Sequence, residues 1–231
     1  MHLLLIRHGQ SHNNTLYEKG LWHERIPEPG LTELGQAQAN ALAKYFSDGR
    51  LPRPDALYTS LMRRALQTSA PIAEALGLPA IGRSDLHEVM AAGENCEGAE
   101  EPYPGLQPAE LCEENPALVV PEDADDTGWY HEDFETPAQA SARARNLLAE
   151  LDAAYGVDDV VAIVSHGWFM QYLIQHFCSW VVPDDGVTTW IDIHNTGTCY
   201  LLPGAANEFS GRVIVRWLDG TSHLNKNQLT K

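Results

Sequence analysis

Two uninterrupted apolar runs, residues 3–6 (Leu-Leu-Leu-Ile) and 160–164 (Val-Val-Ala-Ile-Val), constrain this chain more than any other feature. Neither run alternates with polar residues, so each suits a strand buried on both faces of a parallel sheet covered by helices. Each run also delivers a histidine at its end: Arg7 and His8 after the first, Ser165 and His166 after the second. In open α/β sheets, functional groups commonly sit at the carboxyl ends of strands.

The segments between these runs repeat a strand-then-helix rhythm. Residues 32–46 carry apolar side chains at Leu34, Ala37, Ala41, Leu42 and Tyr45, a helical spacing, with Thr32 and Glu33 placed for the start and Gly49 after the end. Residues 55–59 read as a strand, and 61–76 as a helix closed by Gly77 and Pro79. Helices over 138–155 and 169–181 flank the second apolar run, and shorter edge strands are expected over 190–194, 199–202 and 213–217. The fold class is therefore α/β, a three-layer sandwich with a mostly parallel central sheet flanked by helices. A length of 231 residues fits one domain with an elaboration.

That elaboration is visible as charge. Residues 84–142 hold 16 of the 32 acidic residues, six prolines and no lysine or arginine, so an acidic insertion or cap carries the net charge of -17 while the remainder is near neutral. It reads either as a solvated cap or as a surface for cations or a basic partner. A field of this sign repels nucleic acid and anionic membranes, so neither is an expected partner. Cys96, Cys112, Cys178 and Cys199 show no Cys-x-x-Cys pair, and the N-terminal apolar run is far too short for a signal or membrane segment. A cytoplasmic protein is expected.

Three clusters carry chemistry. Arg7, His8, Gly9, Gln10 and Ser11, with Asn14 beyond, offer bidentate and neutral phosphate donors and a glycine that permits close approach; a lone histidine at a strand end is also a common structural feature. Ser60, Arg63, Arg64, Ala65, Gln67 and Thr68 place two guanidinium groups near a helix N-terminus, which favours anions; the plain alternative is a solvated basic turn. Ser165, His166 and Gly167 form the third cluster, where His166 could equally be a capping histidine.

Together these clusters resemble the signature of the histidine phosphatase, or phosphoglycerate mutase-like, superfamily. The resemblance rests on Arg-His-Gly-x-Ser at residues 7–11, Leu-Thr-x-x-Gly-x-x-Gln-Ala at 31–39, Ser-x-x-x-Arg-Ala-x-Gln-Thr at 60–68 and His166-Gly167. Leu86-His87-Glu88, Asn195-Thr196 and the stretch 221–224 agree with it. It implies that His8 is a nucleophile that accepts the phosphoryl group, that Arg7, Arg64 and His166 hold its oxygens, and that Glu88 donates the proton to the leaving group. His166 can bind as a cation on this view. Arg64 is the family arginine because it directly precedes Ala65, which leaves Arg63 as a surface or second-rank cation. Ser11, Asn14, Gln10 and Gly167 are the expected phosphate or substrate contacts. Glu94 and Glu97 are the nearest substitutes for Glu88, which could also be a solvated surface glutamate.

Phosphoryl transfer leaves a protein mostly positioning and charge stabilisation to supply, so neither a cofactor nor a metal is expected. His131 with Glu132, Asp133 and Glu135 shows no diagnostic ligand spacing. The expected function is metal-independent hydrolysis of a phosphorylated small molecule. Phosphoglycerate mutase is one alternative, but residues 17–22 read Tyr-Glu-Lys-Gly-Leu-Trp in place of the mutases' Phe-Thr-Gly-Trp, and Trp168 replaces the asparagine of their His-Gly-Asn. The other alternative is a phospho-ligand binder without turnover. Trp168 and Phe169 point either to a partly apolar leaving group or to the core. Nothing in the pattern indicates an oligomeric state.

Overall fold

The computed structural model of the protein describes residues 1–89, 101–204 and 211–231. Its seven strands are β1 (His2–Arg7), β2 (Ala56–Ser60), β3 (Ala80–Arg83), β4 (Leu118–Val119), β5 (Val160–Ser165), β6 (Thr198–Pro203) and β7 (Val213–Gly220). They form one sheet in the order β4-β3-β2-β5-β1-β6-β7. The first five strands of that order are mutually parallel, while β6 and β7 are antiparallel to their neighbours. The chain thus has the α/β fold with a mostly parallel sheet that its apolar runs require.

Alternate residues of β1 explain the layers. Leu3 and Leu5 face α5 (Pro137–Ala154) and α6 (Gly167–Phe177), in a core that includes Ala144, Leu147, Phe169 and Leu173. Leu4 and Ile6 face α2 (Glu33–Ser47) and α3 (Arg63–Leu76), packing with Leu42, Phe46, Ile72 and Leu76. All four β1 side chains are fully buried, each contributing about 2 kcal/mol of apolar transfer. The helix ends follow local chemistry. Thr32 accepts the Gly35 N–H to cap α2, Gly77 closes α3 with a left-handed φ of 63°, and Thr136 and Gln139 form a capping box before α5.

Two expectations are corrected. Residues 190–194 are not a strand, because their backbone is held by side chains: Gln171 exchanges two hydrogen bonds with the Ile191 main chain, and Arg7 donates to the Ile193 carbonyl. Helix α6 ends at Phe177 instead of continuing to Val181, where Ser179 takes a positive φ of 56°. Short elements not anticipated are α1 (His12–Glu18), α4 (Pro108–Glu114), β3 and β4.

The acidic segment is built onto the scaffold. β4 adds to the sheet edge through Ala80↔Leu118 and Ile81↔Val119, and Leu106, Leu111, Trp129 and Tyr130 pack on Leu61, Met62 and Leu66. Lacking cations of its own, it is pinned by flanking ones. Arg63 pairs with Glu114, and Arg143 binds Glu135 through both oxygens. Arg63 is therefore a tie to α4 and not a surface cation.

Candidate active site

The parallel register brings the clusters together. Arg7 lies opposite Ser165, and Thr59 opposite Val164, so β1, β5 and β2 end at one edge of the sheet. There the His8 N–H donates to the Ser165 carbonyl at 3.0 Å, and the rings of His8 and His166 lie 5.2 Å apart.

The hydrogen bonds of His8 determine its tautomer. The Arg64 Nε–H can only donate, and it meets His8 Nε2 at 3.1 Å, so that nitrogen presents its lone pair. The proton then sits on Nδ1, 2.7 Å from the Gly9 carbonyl. Burial, reinforced by Arg64 and Arg7, holds the His8 pKa well below its ordinary value, so the ring is neutral. His8 is a desolvated imidazole whose unprotonated Nε2 accepts from Arg64 and can attack only once that hydrogen bond is exchanged for an electrophile.

His166 Nε2 lies 2.8 Å from Ser60 Oγ, and its Nδ1 is buried without a partner. Burial and Arg64 push its pKa well below 6.5 as well, so in this state it is neutral, contrary to the expected cation. The nearby positive charge comes from Arg7 and Arg64. Arg7 is anchored to the Ile193 carbonyl, and its Nε is likewise buried and unpaired. Gly167 lies beside it: a Cβ there would make an ordinary van der Waals contact of 3.4 Å with Arg7 Nε.

Glu88 sits at the N-terminus of α6. One oxygen accepts from the Val89 and Phe169 N–H groups at 2.9 and 3.0 Å, and the other from Trp168 at 3.3 Å. Its charge counters the burial that lowers the pKa of both Arg7 and Arg64. Arg143, bonded to the Asp85 and His87 carbonyls, fixes this segment. Glu94 and Glu97 lie outside the described residues.

The remaining predicted contacts divide. Ser11 caps α1 and bonds Asn14, and both line the cavity described below. Gln10 does not. Its side chain accepts from Thr32, and its N–H donates to Gln38, so it braces the loop. Motif residues without an expected role hold the His8 loop. Thr68 accepts from the Gly9 N–H and donates to the Arg64 carbonyl; Asn195 bonds the His8 carbonyl. Gly9 and Gly35 pack backbone to backbone: a Cβ on Gly9 would lie 2.7 Å from the Gly35 carbonyl oxygen, and one on Gly35 would lie 2.1 Å from the Gln10 carbonyl oxygen. His131 lies 3.9 Å from Asp125, and among the described residues no three His, Cys, Asp or Glu side chains gather as metal donors.

Glu28 was not foreseen. Its Oε2 accepts the Arg63 N–H at 2.9 Å, capping the helix that presents Arg64, while Oε1 is buried without a partner. Burial raises its pKa to about 7, against the lowering effect of that hydrogen bond and of Arg64. Between the ordinary value and about 7 the folded state holds a proton that the unfolded chain releases, so this group's contribution to stability falls as pH rises. Relative to wild type, Glu28→Gln is expected to gain on the order of 2–3 kcal/mol between pH 5 and 8. Urea unfolding at both pH values measures this, and a pH-independent difference would refute it.

These side chains open into one cavity of about 1040 Å³, lined by Arg7, His8, Ser11, Asn14, Arg64 and Glu88 together with Tyr17, Trp22, Trp168 and Trp190. His166 lies beneath its floor, fully buried. Trp168 faces the cavity, whereas Phe169 is core, with Arg143 stacked 3.8 Å from its ring centre. The arrangement supplies a neutral imidazole nitrogen, two guanidinium groups, an unpaired Arg7 Nε–H and a carboxyl group, which together suit a phosphoryl group.

The comparisons with known proteins agree in kind. A 2,3-bisphosphoglycerate-dependent phosphoglycerate mutase from Chelativorans sp. is 42% identical over 79 residues, which is 34% of this chain and 36% of that enzyme. A putative phosphoserine phosphatase 2 from Hydrogenobacter thermophilus is 38% identical over 92 residues, covering 40% and 41%. The matched stretches thus span about two fifths or less of these relatives. A solved phosphoserine phosphatase from Entamoeba histolytica, in complex with phosphoserine, shares the fold, with a TM-score of 0.62 at 21% identity over 97% of this chain and 99% of that one. No helix among the described residues is long and apolar enough to cross a membrane. The profile of the histidine phosphatase superfamily (branch 1) matches residues 3–203, and the chain belongs to that superfamily.

Proposed function

We propose that this protein hydrolyses phosphomonoesters of small molecules through a phosphohistidine on His8, without a metal, as a cytoplasmic enzyme. The observation that carries the proposal is the His8 tautomer: Arg64 and Gly9 leave Nε2 unprotonated beside two guanidinium groups in an open cavity. Nε2 forms a bond to phosphorus as the ester P–O bond breaks. The departing alkoxide, a poor leaving group otherwise, needs a proton, and Glu88 is the carboxyl placed to take one up and relay it. Arg7 and Arg64 hold the phosphoryl oxygens, with Ser11 and Asn14 at the edge, and His166 lies behind His8 beneath the cavity floor. Water then attacks phosphorus, Glu88 takes its proton, and the N–P bond breaks to release phosphate and neutral His8. The two arginines supply the charge that a metal supplies in other phosphoryl-transfer sites. The free thiols of Cys112, Cys178 and Cys199 accord with a reducing compartment.

Purified protein is expected to release phosphate from an aryl phosphate in the presence of chelator, and rapid quenching to trap label on the chain. Interconversion of phosphoglycerates with little hydrolysis would establish a mutase instead. Phosphate binding without a phosphoenzyme would establish a binder.

A further inference from the structure

The cavity extends well past the phosphoryl site, and its outer half is aromatic. Tyr17, Trp22, Trp168 and Trp190 line it and remain about half exposed, between 46% and 55%. They come from α1, the turn after it, the first turn of α6 and the irregular stretch before β6, so no single amphipathic element accounts for them. They stack as two pairs. Tyr17 and Trp22 have ring centres 5.2 Å apart, and Trp168 and Trp190 lie 5.6 Å apart at 69°. Arg25 lies 5.4 Å from the Tyr17 ring centre. Ile26, also half exposed, continues the wall.

Several polar side chains in this outer half are already engaged, while Arg25, over the Tyr17 ring, leaves its buried Nε without a partner. Asn13 bonds both main-chain groups of Ile26, Gln171 bonds the Gly167 and Ile191 main chain, and Asp192 pairs with Lys231. Beyond Arg25, a leaving group rich in hydroxyls would find few unpaired partners, while a flat ring would find four aromatic side chains to pack against. A cavity of about 1040 Å³ also exceeds what a three-carbon phosphoester fills and lies at the upper end of the range for much larger ligands.

We propose that this outer half is a subsite for a planar aromatic group, so that the preferred substrate is a phosphomonoester whose alcohol carries an aromatic ring. The proposal rests on His8 being the nucleophile, because it places the ring on the leaving-group side of the phosphoryl site.

Benzyl phosphate and glycerol 1-phosphate test it, since both leave as alkoxides and differ chiefly in the group to be recognised. Wild-type kcat/KM is expected to favour benzyl phosphate at least tenfold. Trp22→Ala and Trp168→Ala are each expected to cut that ratio fivefold or more, and Trp180→Ala, an exposed tryptophan outside the cavity, to leave it unchanged. A wild-type ratio near one, or a ratio unmoved by both cavity substitutions, would overturn the subsite. Titration of tryptophan fluorescence with benzylphosphonate reads the subsite without turnover. Failure to hydrolyse any ester together with tight binding lost in Trp168→Ala would sink the proposed function and spare the subsite; absence of binding would sink the subsite.

Discussion

His8→Ala is expected to lower kcat by a factor on the order of 10⁴ or more and to abolish the trapped phosphoenzyme, because it removes the nucleophile and leaves only charge and binding. The label on the wild-type chain should be acid-labile, as a phosphorus–nitrogen bond is. The fold should survive, since the ring lost is neutral, although the Gly9 carbonyl and the Arg64 Nε–H each give up a partner. The pH profile offers a further check. Burial and the two arginines hold the His8 pKa well below 6.5, so the unprotonated form persists as pH falls through that value. The acid limb of kcat/KM is therefore expected well under pH 6.5. Appreciable turnover by His8→Ala, or label on that variant, would reject His8 as the acceptor.

Gly35→Ala is expected to produce the largest structural effect of a one-carbon change. Gly35 lies in the first turn of α2 against the loop that follows His8, and the added Cβ would meet the Gln10 carbonyl oxygen at 2.1 Å and its carbonyl carbon at 2.9 Å. Backbone, unlike the end of a flexible side chain, cannot step aside. The loop must shift or α2 must tilt, costing about 3 kcal/mol or more, at the upper end of overpacking effects. Because Gln10 also bonds Gln38 and Thr32, the shift would move Gly9 and His8 away from Arg64. A large fall in unfolding free energy and in phosphoenzyme yield is the expected pair of results. A variant as stable as wild type would show that this contact is slack.

How far the sequence is legible differs by element. β1 and β5 are readable as continuous apolar runs, and α2, α3 and α5 by their caps and spacing, because each signal lies within the segment itself. Residues 190–194 read as a strand for the same reason and are not one. What holds them comes from Gln171 and Arg7, far along the chain, which no local pattern reports. The Pro-Glu-Pro around Glu28 likewise gives no sign that its carboxyl becomes a buried cap for α3.

The site shows the same division. The amino-acid order alone determined which groups stand at the strand ends, since residue type and adjacency to a buried run suffice for Arg7, His8, Ser165 and His166. Tertiary structure decided their chemical state. The tautomer of His8 depends on Arg64, the neutrality of His166 on its burial and on Arg64, and the placement of Glu88 on the first turn of α6. Protonation and donor direction are set by atoms within a few ångströms, and here those atoms belong to residues about fifty to a hundred positions apart.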